Sequence, residues 1–345
     1  MSSGYDKNNA SAAKRIISAA AMLALSAVML STSTYAWFTM NKQVEMTGIA
    51  MSATAGEGME IALASVNGTA ISAATSHDSL GDDSWKSAVI VGDYYAKIGK
   101  LRPASSVDGE NLYDATNASD GGTKASKFVK IELDTSSTAD DAKKMALLEL
   151  KTNLTETAEG SPAPKIDTEG RVGYYVDIPV FLRTNKAAGS ETKGSIYCKM
   201  KIQKREDDGS ISTTSNTEDL YKAVRVAFVP STTGTSSTTK IFGVDDTYYN
   251  ANQAVNSETG RSSVTVVKDY VADADNFTDG EGAESGLMIP YASGTDKYGY
   301  LDFVVRIWIE GESKYCSDAT SGQSWNIDLQ FSLGKFDDSG TSSNP

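Results

Sequence analysis

The sequence predicts an all-β protein: an antiparallel two-sheet sandwich, jelly-roll-like, with long polar loops, one minor helix and an N-terminal signal or hydrophobic helix. Three observations carry this reading. Apolar and polar residues alternate with period two in segment after segment, as side chains do on the two faces of a half-buried strand. Gly, Ser, Thr, Asn and Asp are abundant and only 7 of 345 residues are Pro, which suits many strands joined by polar loops. One uncharged apolar run stands alone, near the N-terminus.

That run is Ile16–Leu30, 15 residues (IISAAAMLALSAVML) preceded by Lys14 and Arg15 and followed by STSTYAWF. A positive edge, an apolar core and a small residue form the order of a secretory leader. A spanning helix needs about 20 apolar residues, so the short core favours a cut between Ala36 and Trp37, with Thr34 at −3. The alternative is an uncleaved anchor, which adding Ser31–Phe38 makes long enough to span. Either way Lys14 and Arg15 stay inside and the bulk is exported. The chain thus divides into 1–36, signal peptide or N-terminal anchor, and 37–345, an exported β-sandwich domain with insertions.

Directly after the leader comes a strand pattern. Val44 and Met46 alternate with Glu45 and Thr47, then Gly48 shifts the phase to Ile49, Met51 and Ala53, the pattern of a glycine bulge. GMEIALAS adds Met59, Ile61 and Leu63. STADDAKKMALLEL reads as the helix, with Ser137 or Thr138 as N-cap, acids in the first turn, and Met145, Leu148 and Leu147 on one stripe. GYYVDIPVFLR puts Tyr174, Val176, Ile178, Val180 and Leu182 in phase. SIYCKMKIQK faces Ile196, Cys198, Met200 and Ile202 one way. NTEDLYKA forms one helical turn before KAVRVAFV, which points Val224, Val226 and Phe228 in and Arg225 out. YLDFVVRIWIE points Leu301, Phe303, Val305, Ile307 and Ile309 in, with Asp302, Arg306 and Glu310 out. SWNIDLQFSL closes the set with Trp325, Ile327, Leu329, Phe331 and Leu333. FVKIELD and SVTVVKDY are shorter strands.

Composition narrows the function. The net charge is −13; Lys7, Lys14, Arg15 and Asp6 leave the leader at +2, so residues 37–345 carry about −15. Such a surface repels nucleic acid and anionic lipid. Contact with the membrane is expected only through the leader. The one histidine, His77, lies in ATSHDSLGDDSW, where no HExxH and no partner histidine accompany it. It reads as a solvated loop residue. No phosphate-binding glycine loop and no GxSxG motif occurs, so the chain is expected not to be an enzyme. Carboxylate pairs of the glycosidase kind would arise by chance in so acidic a chain.

Two features leave alternatives open. Cys198 and Cys316 form an even pair outside the cytoplasm, which permits a disulfide; the other reading is two separate buried thiols. DADNFTDGEG clusters Asp273, Asp275, Asp279 and Glu281, an oxygen-rich loop that suits calcium, and GVDDTYYN adds Asp245 and Asp246. EF-hand spacing fails there because Phe277 occupies the fifth position, so a solvated acidic loop is the alternative. No other cofactor is expected.

TYAWFTMNKQVEMTGIAMSA, with Thr34, Tyr35, Ala36, Trp37 and Phe38, resembles the start of the TasA/camelysin family of Gram-positive bacteria. RIWIEGESKYC and SWNIDLQFSL are similar to the ends of exported Firmicute proteins with the same leader. The likeness is sharp over about 20 residues and architectural elsewhere. It implies secretion through a dedicated signal peptidase, a β-sandwich or jelly-roll subunit, and assembly into fibres of the biofilm matrix or cell surface. Some members have been called metalloproteases; a chain with one histidine gives that activity no support.

The resemblance also implies a connector. The strand freed by cleavage, carrying Trp37, Val44, Met46, Ile49, Met51 and Ala53, can complete the sheet of a second copy by β-strand addition. The alternative is an ordinary first strand of its own domain. The expectation is therefore an exported, self-associating structural protein of the extracellular matrix or cell surface. A non-polymerising surface module that binds glycan or protein through its long loops stands second, and an acidic-residue hydrolase third.

Overall fold

A computed structural model of the chain describes residues 44–45, 49–53, 58–67, 70–73, 76–90, 95–97, 100–114, 129–130, 147–148, 166–167, 172–205, 210, 212, 219–231, 236–246, 265–272, 280–316, 320 and 322–336. All lie in one compact unit, Lys42–Pro345. The predicted leader and its predicted cut between Ala36 and Trp37 fall outside the described residues. Among the described residues, no helix is long and apolar enough to cross a membrane.

Strand follows strand, as the alternation requires. We label β1 (Ile49–Ala53), β2 (Met59–Ala62), β3 (Ala88–Ile90), β4 (Tyr175–Thr184), β5 (Lys193–Arg205) and β6 (Val224–Pro230). After them come β7 (Lys240–Phe242), β8 (Val266–Val267), β9 (Val271–Ala272), β10 (Ala283–Pro290), β11 (Gly299–Ile309) and β12 (Ser324–Leu333). A seven-stranded sheet runs Leu147–Leu148, β4, β11, β6, β7, β8, with β2 also on β4. A six-stranded sheet runs β9, β5, β12, β1, β3, with β10 also on β5.

The long pairings, β4 with β11, β11 with β6 and β5 with β12, are antiparallel. The expectation of wholly antiparallel sheets is corrected by shorter neighbours. β1 on β12, β8 on β7 and β9 on β5 are parallel, so both sheets are mixed. These parallel partners are not joined by hairpins, which is the only connection that forces an antiparallel pair.

A second correction concerns the helix. Leu147 and Leu148, assigned to its apolar stripe, form a two-residue strand parallel to Tyr175–Val176; the rest of that segment lies outside the described residues. The β4 ladder has overridden a local helical preference. NTEDLYKA does contain its helical turn, a 3-10 turn at Leu220–Ala223.

One apolar cluster joins the two sheets. Val176, Ile178, Val180 and Leu182 of β4 meet Leu301, Phe303, Val305, Ile307 and Ile309 of β11 and Val224, Val226 and Phe228 of β6. From the other sheet come Ile196, Cys198, Met200 and Ile202, and Trp325, Ile327, Leu329 and Phe331. Phe331 of β12 stands edge-on to both Phe228 and Phe303, at 5.4 and 5.6 Å between ring centres. Each such side chain, fully buried, contributes roughly 1.5–3 kcal/mol before entropy is charged against it. Met59, Ile61 and Leu63 join the same cluster. Tyr174 does not continue the phase of β4: it packs with Tyr175, Leu112, Ile241 and Trp308 in a separate cluster.

The outer face of the seven-stranded sheet is also covered, which the alternation did not predict. Arg225 and Glu310 are fully buried and Asp302 nearly so, although all three read as outward. Two stretches outside the long strands account for this. Residues 104–112 bring Ala104 and Leu112 against Trp308 and Ala227. Residues 80–85 bring Leu80 and Trp85 against Phe181, Ala62 and Tyr300.

β10 ties the sheets together along one side. Thr238 N–H donates to Gly286 O at 2.8 Å, and Ser237 Oγ accepts from Met288 N–H at 2.9 Å. The register of β10 on β5 slips opposite Ser195 and Tyr197, and Gly286 has a φ of +85° at that bulge. A Cβ on Gly286 would lie 2.2 Å from Thr238 O, so only glycine fits this crossing.

Candidate functional site

The first candidate is the seat of β1. Its register pairs Ile49, Ala50, Met51, Ser52 and Ala53 with Ile327, Asp328, Leu329, Gln330 and Phe331 of β12. On its other side Ala50, Met51 and Ser52 pair with Ile90, Val89 and Ala88 of β3. Ile49–Ala53 therefore lies in a slot between the last long strand and the edge strand of the sheet. Both rows of its backbone groups have ladder partners, which satisfies donors and acceptors that would otherwise be costly.

The predicted connector is not one continuous strand. Val44–Glu45 belongs to a different, small sheet, pairing with Lys100 and Leu101, which in turn pair with Val172 and Gly173. The phase change predicted around Gly48 thus separates two sheets. Trp37, Met46 and Gly48 themselves lie outside the described residues. Beside the slot, Ile90 is the one large apolar side chain strongly exposed among the described residues.

Both cysteines are free thiols, Cys198 buried and Cys316 partly so, and both pack on the main core cluster. Burial pushes the Cys198 thiol far above its ordinary range, which leaves it a small apolar residue rather than a nucleophile. Of the calcium set, Asp273, Asp275 and Asp279 lie outside the described residues. Glu281 pairs with Lys335. Asp246 is held by Lys268 Nζ at 2.9 Å, which lowers its carboxyl.

The second candidate is a cluster that sequence reading missed. His77 is not a solvated loop residue. It opens a 3-10 turn, His77–Ser79, and its ring stacks on Tyr300 at 4.4 Å with planes 10° apart. Nδ1 lies 2.7 Å from Asp302 Oδ1, and the His77 backbone N–H donates to Asp302 Oδ2 at 3.2 Å. Next to it, Arg183 reaches Glu60 at 2.6 Å and Asp82 at 3.2 Å while its guanidinium lies over Trp85 and Tyr298. Residues 76–86 are thus fastened to the β4–β11 face by charge and by ring stacking. The sequence carried one signal for this: Asp302, Tyr300 and Arg183 occupy outward positions on strands whose inner face is core.

A third group is buried. Glu310 accepts from Trp308 Nε1 and Glu312 N–H, each at 3.2 Å, and from Ser106 N–H at 3.4 Å. Burial holds its carboxyl above the usual range; the positive charge of Arg225 and these donors offset part of that. The group fastens 104–106 to the end of β11 and offers no opening to a substrate.

Comparisons with protein-family models, with curated proteins and with solved structures find no match for this chain.

Proposed function

We propose that the chain is an exported, non-catalytic structural protein, a subunit of an extracellular matrix or cell-surface fibre whose copies join by exchange of the N-terminal strand. On this reading the leader is cut between Ala36 and Trp37, and the two sheets are the layers of a jelly-roll-like sandwich. The observation that carries the proposal is the slot between β12 and β3. It takes Ile49–Ala53, the longer strand of the N-terminal segment, in parallel with the last strand of the domain. A second copy's Ile49–Ala53 would meet the same partners in the same register, so exchange between copies loses no contact.

Charge sets the conditions. Subunits near −15 repel one another, so salt should promote assembly by screening, and calcium by bridging acidic loops such as that of Asp273, Asp275, Asp279 and Glu281. The test is negative-stain imaging of the mature protein with and without added salt and calcium. Ordered filaments are expected from the parent, and none from Met46→Asp with Met51→Asp, which places charge in the connector. Filaments as abundant from the variant would remove the strand from the assembly.

A second reading has its own support: β1 occupies the slot of its own domain, as in a self-sufficient monomer. A surface module binding glycan or protein through its loops is the function that goes with it. Monodisperse particles under every condition, with binding on a glycan array, would select it.

A further inference from the structure

His77 and Asp78 are arranged in a way that fibre assembly does not use. Asp302 accepts from His77 twice, from Nδ1 at 2.7 Å and from the backbone N–H at 3.2 Å. A carboxylate has only acceptors to offer, so Nδ1 carries a hydrogen. In the neutral ring Nε2 is then the atom with the free lone pair. Stacking on Tyr300 fixes the ring plane.

Nε2 faces the Asp78 carboxylate, 3.4 Å from Oδ1. That is longer than a good charge-assisted hydrogen bond, about 2.7–2.9 Å. A lone pair facing an anion is unfavourable unless a proton or a metal ion stands between them. The spacing suits a metal ion. Two tetrahedral ligands at about 2.0–2.1 Å from one centre, as around Zn²⁺, lie roughly 3.3–3.4 Å apart; tetragonal Cu²⁺ would hold them at about 2.9 Å, which the exposed Asp78 side chain can meet by turning. Asp78 is oriented too: Ser76 Oγ lies 3.1 Å from Oδ2 and accepts from the Asp78 N–H at 3.2 Å. The His77 side chain is 27% exposed and that of Asp78 85%, so an ion reaches both without any opening of the fold.

We propose that His77 Nε2 and the Asp78 carboxylate form a surface site for a divalent first-row transition ion such as Cu²⁺ or Zn²⁺. Asp302 is its outer-shell partner, holding Nδ1–H as carboxylates do behind metal-bound imidazoles. Water completes the coordination. With two protein ligands the affinity is modest, and among the divalent ions of this row Cu²⁺ binds most tightly. The site is a binding site alone and does not depend on how copies join.

The chain has a single histidine, so any imidazole signal belongs to His77. The probe is Cu²⁺ titrated into the full chain at neutral pH and read by pulsed electron paramagnetic resonance, with affinity from calorimetry. One coordinated imidazole nitrogen is expected at the first equivalent. Asp78→Asn, at an exposed position, should weaken Cu²⁺ by about tenfold or more, and Asp302→Asn by about 10–100-fold through loss of the negative charge behind the imidazole, since its amide oxygen can still accept from Nδ1–H. Zn²⁺ in excess should displace the copper signal. Copper held with no imidazole coupling, as by a backbone amine or the acidic loops, would overturn the site. Imidazole coupling with affinity unchanged in Asp78→Asn would overturn the two-ligand geometry.

Discussion

Arg306 of β11 grips Asp177 of β4 with both prongs of its guanidinium. Nε reaches Oδ1 and Nη2 reaches Oδ2, each at 2.7 Å, across a directly opposed cross-strand pair. Its remaining nitrogen donates to Glu110 O at 2.7 Å and Gly109 O at 3.3 Å. One side chain therefore locks two central strands and fastens the 104–112 cover over them. That cover is shaped from within by Asp108, which accepts from Glu110 N–H, Asn111 N–H and Asn111 Nδ2.

Arg306→Lys is expected to cost about 1–3 kcal/mol, because lysine cannot reproduce the two-pronged bond and also reach the loop carbonyls. Both partners are mostly buried, at 14% and 18% side-chain exposure, so screening by water removes little of this. Urea unfolding of the parent, Arg306→Lys, Asp177→Asn and the double variant measures the pair. Additive losses would mean that the two residues do not act together.

Glu310 predicts a pH trend. Its carboxyl is raised in the folded state by burial. The stability this group contributes is therefore full below the unfolded value, about 4.3, and is lost as pH rises through the higher folded value. Glu310→Gln cannot ionise. Its stability relative to the parent should thus improve between about pH 4 and 7, at up to 1.36 kcal/mol per unit of raised pKa. The absolute difference also includes loss of the negative charge near Arg225, so the slope is the test. A difference that stays flat from pH 4 to 7 refutes it.

Gly286→Ala is expected to destabilise by about 1–3 kcal/mol, since a non-glycine residue is strained at this φ and its Cβ meets a backbone carbonyl that cannot swing away. Gly189→Ala, where a Cβ meets nothing within 4 Å, is the matched control. Thermal melts of the two variants compare them directly; equal melting temperatures would show that the β10 crossing gives way freely.

How far the sequence reached depends on which face of a strand is in question. Phe303, Val305 and Ile307, or Ile327, Leu329 and Phe331, reveal their inner face because period-two alternation reports burial against a partner sheet. The same alternation could not tell that Glu310 and Arg225 are buried, since a polar residue reads as outward whether water or a covering loop lies over it. Residues 80–85 and 104–112 gave no sign of covering a sheet because their apolar residues, Leu80, Trp85 and Leu112, are too few to set a period. His77 was legible as a lone histidine; its partner Asp302 lies 225 positions away and only the fold brings them together. The seat of β1 was legible as a strand. Its parallel neighbour β12 was not, because pairing of strands from opposite ends of the chain leaves no local mark.

A reversible lock on that seat separates the two functional readings. Ser52 of β1 is directly opposed to Ala88 of β3 in an antiparallel pair. Opposed residues in such pairs have Cα atoms about 4.5–5.5 Å apart, within the roughly 4.4–6.8 Å that a disulfide spans. Ser52→Cys with Ala88→Cys, oxidised as a dilute monomer, should therefore tie β1 into its own domain. If copies join by exchanging β1, the oxidised protein forms no filaments and a reductant restores them to the level of the parent. The bond should also raise the melting temperature of the oxidised form, which guards against loss of assembly through misfolding. Cys198, deeply buried with its thiol pushed upward, will not compete for the bridge; Cys316→Ser removes the other thiol if mixed pairing occurs. Oxidised protein that forms filaments as readily as the reduced form would leave β1 a permanent strand of its own sheet and move the junction elsewhere.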